Sequence, residues 1–408
     1  MPFLVVVVAS DGLAHPFPVY QSYDEYAHFY GPVQLAAKAW PGLVTTGYHT
    51  WSGPLVYWLL AGLARPLGGS LEAVRGVVTV LSWATCAAAY CLFRDRLGAR
   101  PSMALLFALM LALSPFFFGA SFYVLTDDPT WLFVVLALSF LVAWARTSHL
   151  LLFAAAIACT SVATLMRQVA VWLYLPAAVA VASASCSPRR KAVAVACAVA
   201  GLTPLVALLA SWGGLLPSGG VQTEPPAARI HSVLLSLAVL GMWGLLLVPA
   251  AEVRSLPARL GRRGVAAVAV AALAGVVAVA AGVLGELGSR DPYGIGLLSP
   301  LLDAWPHFWG AGLVWWLALP LGLATLAALL LTRVREPRDR LFVAAVVGVA
   351  LSTAANTVWF QRYVDFGVLL CLLALVVLGK RPVRRIDVLR WIVVLAVSVA
   401  WTVRIASA

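Results

Sequence analysis

The sequence predicts an all-α polytopic membrane protein, and three observations predict it. Of the 408 residues, 62% are hydrophobic and only 11% charged, whereas a soluble domain carries roughly a quarter charged. The mean hydropathy is +0.95. Apolar runs recur along the whole chain, many close to the ~20 residues that a helix needs to cross a bilayer. A surface so poor in charge requires lipid as its outer solvent, and in lipid the backbone satisfies its own polar groups as helix.

The elements follow in chain order. Phe3–Ala9 is apolar but too short to span. It lacks the basic start of a signal peptide and reads as an abbreviated first helix. A long polar stretch follows, to residue 73. Within it, Leu55–Ala64 has the length of a re-entrant or interfacial helix. Predicted spans then run Val74–Leu92, Met103–Phe122, Pro129–Ala145, Leu150–Thr164, Val169–Ala184 and Val193–Ser211. They continue Ser232–Ala250, Val265–Leu284, Ala311–Thr332, Phe342–Trp359, Tyr363–Gly379 and Leu389–Val403. This makes about 12–13 transmembrane helices, a figure set by the ~20-residue crossing length, in one transmembrane domain over residues 1–408. The long first loop, residues 15–73, carries the short interfacial helix, and further outer loops lie at 212–231 and 285–310.

Charge orients these spans. Most of the 28 Lys and Arg fall in every second loop, around Arg94–Arg100, Arg146, Arg189–Lys191, Arg254–Arg263, Arg333–Arg340 and Lys380–Arg390. The positive-inside rule makes those loops cytoplasmic. The net charge of +12 therefore reflects membrane topology, and nucleic acid is not an expected partner. The other loops are extracytoplasmic, and they hold every histidine except His149. A bacterial plasma (inner) membrane protein whose site faces outward is the expected localisation. The six cysteines form no CxxC pair and no zinc-spaced cluster, so neither a disulfide framework nor a structural metal is expected.

The candidate chemistry lies in the outer loops. Asp24, Glu25 and His28 open the first. On a helix Asp24 and His28 share a face, and a carboxylate beside an imidazole can act as a general base or hold a divalent cation. A hydrated membrane-surface loop is the plainer alternative. Thr126-Asp127-Asp128-Pro129 starts a helix. Asp128 reads as its N-cap, which leaves Asp127 as the functional carboxylate. Arg167 and Gln168 sit between two apolar runs. An arginine at such depth calls for an anion, either Asp24, Glu25, Asp127 or a phosphate. Gln361, Arg362 and Tyr363 occupy a tight outer turn to which the same reasoning applies. His49 precedes a Gly-Pro turn, and Trp212 and His231 bracket a loop rich in Gly and Pro.

In order and type these motifs resemble the GT-C superfamily of membrane glycosyltransferases. Asp24-Glu25-x-x-His28, Thr50-x-x-x-Pro54-Leu55-x-Tyr57, Tyr123-x-x-Thr126-Asp127, Arg167-Gln168-x-x-x-Trp172 and Trp212-Gly213-Gly214 are most similar to the dolichyl-phosphate-glucose α-1,2-glucosyltransferase family. Ser52-Gly53-Pro54 stands where that family has Pro-Pro-Gly, and Ala170 where it has Asn. The resemblance implies a GT-C fold and an inverting hexosyltransferase. Its donor is a polyprenyl-phosphate sugar, its acceptor a glycan or lipid-linked hydroxyl, and its surroundings membrane lipid. On this reading Asp24 or Glu25 is the base, and Arg167 and Arg362 hold the donor phosphate. His28, Asp127, Gln168, His49, Trp212, His231, Gln361 and Tyr363 support the substrates. No cofactor is required, although a divalent cation is compatible with the carboxylates. A transporter or flippase of a lipid-linked or polar solute is the competing reading.

Overall fold

The computed structural model describes residues 25–47, 52–214, 230–281, 307–308, 311–334, 336–355, 364–379 and 383–407. Almost all of this is helix. The chain divides into two units, Met1–Thr223 with Ser398–Ala408, and Glu224–Val397.

In the first unit, a π-helical turn at Glu25–Tyr30 leads into α1 (Gly31–Ala39). The short interfacial helix expected at Leu55–Ala64 is α2 (Pro54–Ala64), with proline at its first position, where no N–H partner is needed. Next come α3 (Leu71–Cys91), α4 (Pro101–Ala112), α5 (Pro115–Ala120), α6 (Asp127–Thr147) and α7 (Leu150–Met166). A 3₁₀ turn at Gln168–Leu173 precedes α8 (Tyr174–Ser183), and α9 (Pro188–Trp212) closes the series. Helix α6 packs against both α3 and α7, and α7 against α9. Trp144 on α6 is fully buried against Phe153 of α7, with ring centroids 5.2 Å apart.

Two expected spans are corrected in this unit. Met103–Phe122 is not continuous. Ser114 takes an extended conformation before Pro115, because the proline ring disfavours helix in the residue ahead of it. The span from Val169 opens as a 3₁₀ turn rather than an α-helix.

The second unit contains α10 (Ile230–Leu247), α11 (Ala250–Ala280), α12 (Leu313–Thr332), α13 (Pro337–Ser352), α14 (Asp365–Leu378) and α15 (Arg385–Ser407), whose final residues join the first unit. A minimal strand pair, β1 (His307–Phe308) and β2 (Ala311–Gly312), precedes α12. Helix α11 is broken at Gly261, whose φ of 64° a side chain would strain. The basic segment expected as a loop is therefore helical, with the break inside it.

Small residues set the helix crossings here. A Cβ on Gly322 of α12 would lie 1.8 Å from the Leu237 carbonyl oxygen of α10, and one on Gly241 would lie 2.0 Å from that of Ala318. Backbones that touch in this way are how membrane helices gain packing without a hydrophobic driving force between them. At the basic end, Asp387 caps two helices. Its Oδ1 accepts the Ala250 N–H at 3.0 Å, and its Oδ2 accepts the Arg384 N–H at 3.0 Å. The second bond is the back-reaching half of a capping box. Arg390 and Trp391 in turn donate to the Val248 and Leu247 carbonyls at the C-terminal end of α10, at 2.6 and 3.2 Å.

Five described helices are long and apolar enough to cross a membrane, namely α3 with its following turn, α6, α9, α11 and α12. Shorter apolar helices accompany them. The molecule is an integral membrane protein.

Candidate functional site

In the first unit the starts of α3 and α6 and the ends of α7 and α9 lie at one level, as alternating spans require. The opposite ends carry Arg94, Arg96, Arg100, Arg146, Arg189 and Arg190. The non-basic level holds a chain of buried polar side chains drawn from the first loop, from α3 and from the segment that joins α5 to α6.

Its first part is built on Arg75, one turn into α3. The guanidinium grips Glu25 through two bonds, Nε to Oε1 at 3.0 Å and Nη2 to Oε2 at 2.5 Å. Glu25 Oε1 also accepts the Val124 backbone N–H at 2.7 Å. Arg75 lies 5.8 Å from the centre of the Tyr123 ring, a cation–π distance. Glu25 is fully buried and Arg75 is 4% exposed. Two planar groups joined through paired N–H···O bonds form the strongest geometry available to an ion pair. It ties the opening of the first loop to the 121–128 segment.

The second part is built on Arg167. Helix α7 ends at Met166, and Arg167 turns to extended backbone. The first loop covers that end, because the Gly53 N–H donates to the Met166 carbonyl at 2.8 Å. A Cβ on Gly53 would lie 1.9 Å from the Leu165 carbonyl oxygen, so only glycine permits this approach. The Arg167 Nη1 then reaches Asp127 Oδ1 at 2.8 Å and donates to Thr126 Oγ1 at 2.9 Å. Thr126 shares a further hydroxyl bond with Ser52 at 2.8 Å. Of the anions that sequence reasoning offered for Arg167, Asp127 is in contact with it, and Asp24 lies outside the described residues.

The third part is Asp128. Its Oδ2 accepts from Ser82 Oγ and Ser121 Oγ, both at 2.7 Å. Asp128 therefore does not cap α6 as expected. It lies inside the first turn, Thr126 holds the N-cap position, and the carboxylate turns sideways to two hydroxyls on neighbouring elements. Thr79 completes the mesh by donating to the Ser121 carbonyl at 2.8 Å.

Trp212, at the end of α9, is buried and donates its indole N–H to the Thr45 carbonyl at 2.7 Å, bracing the first loop. Gln168 is half-buried, and its Nε2 has no hydrogen-bond partner among the described residues. A cavity of about 340 Å³ opens beside this end, lined by Leu43, Thr45, Pro54, Leu165, Pro204 and Leu208. Asp24, His49, Gln361, Arg362 and Tyr363 lie outside the described residues, while His28 and His231 are described by backbone alone. Among the described residues no three His, Cys, Asp or Glu side chains come together.

The structure thus joins Glu25, Asp127 and Arg167 into one connected region, with Trp212 bracing the same loop. It adds Arg75, Ser82 and Ser121, which sequence reasoning missed, and gives bonding roles to Ser52 and Thr126, which it had named only as motif members. Arg75 carried one usable signal. It is an arginine at the non-basic end of a span, as Arg167 is. Ser82 and Ser121 carried none, since Ser and Thr are unremarkable in apolar segments.

Residues 51–212, which include Ser52, Arg75, Asp127 and Arg167, match the family described as dolichyl-phosphate-mannose-protein mannosyltransferase. No curated protein matches the chain in sequence. Among solved structures, ArnT from Cupriavidus metallidurans bound to undecaprenyl phosphate is similar at a TM-score of 0.50 and 14% identity, over 98% of this chain. This chain spans 62% of the length of that one. The same protein in its apo state aligns at a TM-score of 0.40 and 15% identity, over 92% of this chain and 77% of that one. The chain has a GT-C type fold, and its buried polar network, apart from Glu25, lies in the segment that matches the mannosyltransferase family.

Proposed function

We propose that this protein is an inverting glycosyltransferase that moves a hexose from a polyprenyl-phosphate donor to an acceptor hydroxyl on the extracytoplasmic face of a bacterial inner membrane. The observation that carries the reading is the buried network of Arg75, Glu25, Arg167 and Asp127. It lies at the end of the helices away from the arginine-rich loops, and all of it but Glu25 falls within the segment that matches a dolichyl-phosphate-mannose-dependent family. Buried charge in a membrane domain is costly and marks function.

In the proposed reaction the acceptor oxygen attacks the anomeric carbon, and the bond from that carbon to the lipid phosphate breaks. Asp24 takes the acceptor proton as general base. Its neighbour Glu25, locked onto Arg75, sets the position of the loop that carries it. The phosphate leaves with the electron pair of the broken bond, and Arg167 and Arg362 offset its charge. Arg167 reaches the phosphate by sharing its guanidinium between Asp127 and the incoming anion. The apolar cavity beside the Gly53 turn suits a segment of prenyl chain. His28, His49, His231, Gln168, Gln361 and Tyr363 are proposed to orient the donor sugar or the acceptor. Mannose and glucose are the leading donor sugars, by the family match and the motif resemblance respectively.

A transporter would need polar groups near the midplane. The described buried charges of the first unit instead sit at helix ends, namely Arg75, Asp127, Asp128 and Arg167. The test is sugar transfer by the purified protein, offered radiolabelled polyprenyl-phosphate hexoses together with envelope acceptors, beside the Asp24→Asn variant. Transfer by the parent and not by the variant is the expected result. Absence of both transfer and binding with every donor would overturn the reading.

A further inference from the structure

The second unit holds a cavity that the proposed reaction does not use. Its volume is about 490 Å³, well inside the range of small-molecule sites. It lies between α10, α11, α12 and α14, with Leu245, Val248, Leu321, Leu372 and Val376 on its walls. One end is basic, being lined by Arg254, Arg333 and Arg390 with Glu252 as their acidic neighbour.

The charges at that end do not cancel. Glu252 is taken by Arg333 at 2.6 Å, with Arg259 at 3.4 Å. Asp339 is taken by Arg333 at 3.0 Å, and Asp387 is held in capping with Arg390 3.6 Å away. Arg254 is exposed and has no ion-pair partner among the described residues. Arg333 is 6% exposed, and its Nε has no hydrogen-bond partner among the described residues, nor has Nε of Arg390. The end that lacks an anion is the end on the arginine-rich face of the membrane.

The dimensions decide the occupant. Along α12 the lining runs from Arg333 to Leu321, twelve residues of helix, or about 18 Å at 1.5 Å per residue. The hydrocarbon of one leaflet is about 15 Å deep, half of a ~30 Å core. An apolar slot of leaflet depth under a cluster of arginines fits neither a soluble metabolite nor a bare anion. Basic pockets between helices on this face of a membrane take anionic headgroups.

We propose that the cavity binds one anionic phospholipid of the arginine-side leaflet, with an acyl chain in the slot and its phosphate at Arg254 and Arg390. The site is separate from the transfer chemistry and does not rest on the function proposed for the first unit.

The test is native mass spectrometry of the delipidated protein in detergent, titrated with phosphatidylglycerol or phosphatidylcholine. The parent is expected to retain one phosphatidylglycerol in clear preference to phosphatidylcholine. Arg254→Glu, at an exposed position, is expected to weaken that binding by about tenfold or more. Ala324→Phe fills the slot and leaves every arginine in place, and it is expected to remove binding of the lipid. Melting of both variants alongside the parent confirms that they are folded. Equal binding of the two lipids, or undiminished phosphatidylglycerol binding in both variants, overturns the proposal. So does displacement by inorganic phosphate alone, which would make this a free-anion site. Preference for a polyprenyl phosphate over phosphatidylglycerol also overturns it.

Discussion

Replacing Glu25 by Gln separates the structural part of the acidic pair from its chemical part. The change keeps the side chain's shape and one oxygen able to accept from the Val124 N–H. It removes the charge that faces Arg75 across bonds of 3.0 and 2.5 Å. Arg75 is only 4% exposed, so water cannot take the place of the lost carboxylate. Deleting one partner of a buried ion pair costs about 3–5 kcal/mol. The bond retained to Val124 puts Glu25→Gln near the lower end. At roughly 2–4 °C per kcal/mol for a unit of this size, the melting midpoint should fall by about 6–12 °C. The assay is the fraction of protein that stays monodisperse in detergent after heating. Replacing both members together, Glu25→Met with Arg75→Met, should recover much of the loss, since no lone charge then stays buried. A Glu25→Gln variant that melts with the parent yet transfers no sugar would refute the reasoning. Glu25 would then act on substrate rather than on Arg75.

Two further outcomes follow from the geometry. Gly53→Ala forces a methyl group to within 1.9 Å of the Leu165 carbonyl, so the first loop must lift from the end of α7. Loss of the Gly53–Met166 bond should show as a lower melting point and faster proteolysis between residues 40 and 54, with Gly53→Ser no better. Asp387→Ala strips two helix starts of their acceptor at once, and two caps at about 1 kcal/mol each predict a loss of about 2 kcal/mol. Asp387→Asn should restore part of it, and equal melting of the alanine and parent proteins would rule the capping role out.

The helices were legible because their signal is local. Apolar runs, the loop charges beside them and the prolines that open α2, α4 and α9 each act over a few residues. Breaks were harder to read. Ser114-Pro115 is a visible stop signal, but the apolar residues on both sides read as one span. The candidate site was half legible. Arg167 and Asp127 stood out as charges where charge is expensive, and they proved to be partners. Arg75 fell inside the predicted span Val74–Leu92, next to its first residue, and was not singled out. Its partner lies 50 residues away, and the Val124 N–H that completes the arrangement lies 99 from Glu25. No periodicity encodes such separations. Asp128 shows the opposite error. An Asp before a Pro at a helix start is a strong capping signal, and it was overridden because hydroxyls on α3 and the α5–α6 connection offered the carboxylate better donors.

The double cap at Asp387 bears on how the chain is made. The start of α11 and its acceptor are 137 residues apart in sequence. At ~5–20 residues per second the ribosome needs roughly 7–27 s to bridge that interval. Through that time the first N–H groups of α11 and the last carbonyls of α10 must be satisfied by water or headgroups at the bilayer surface. Among the described hydrogen bonds of the second unit, those at the α10–α11 corner bridge the longest intervals of sequence. Whatever attends membrane insertion has to shelter this corner until the start of α15 arrives.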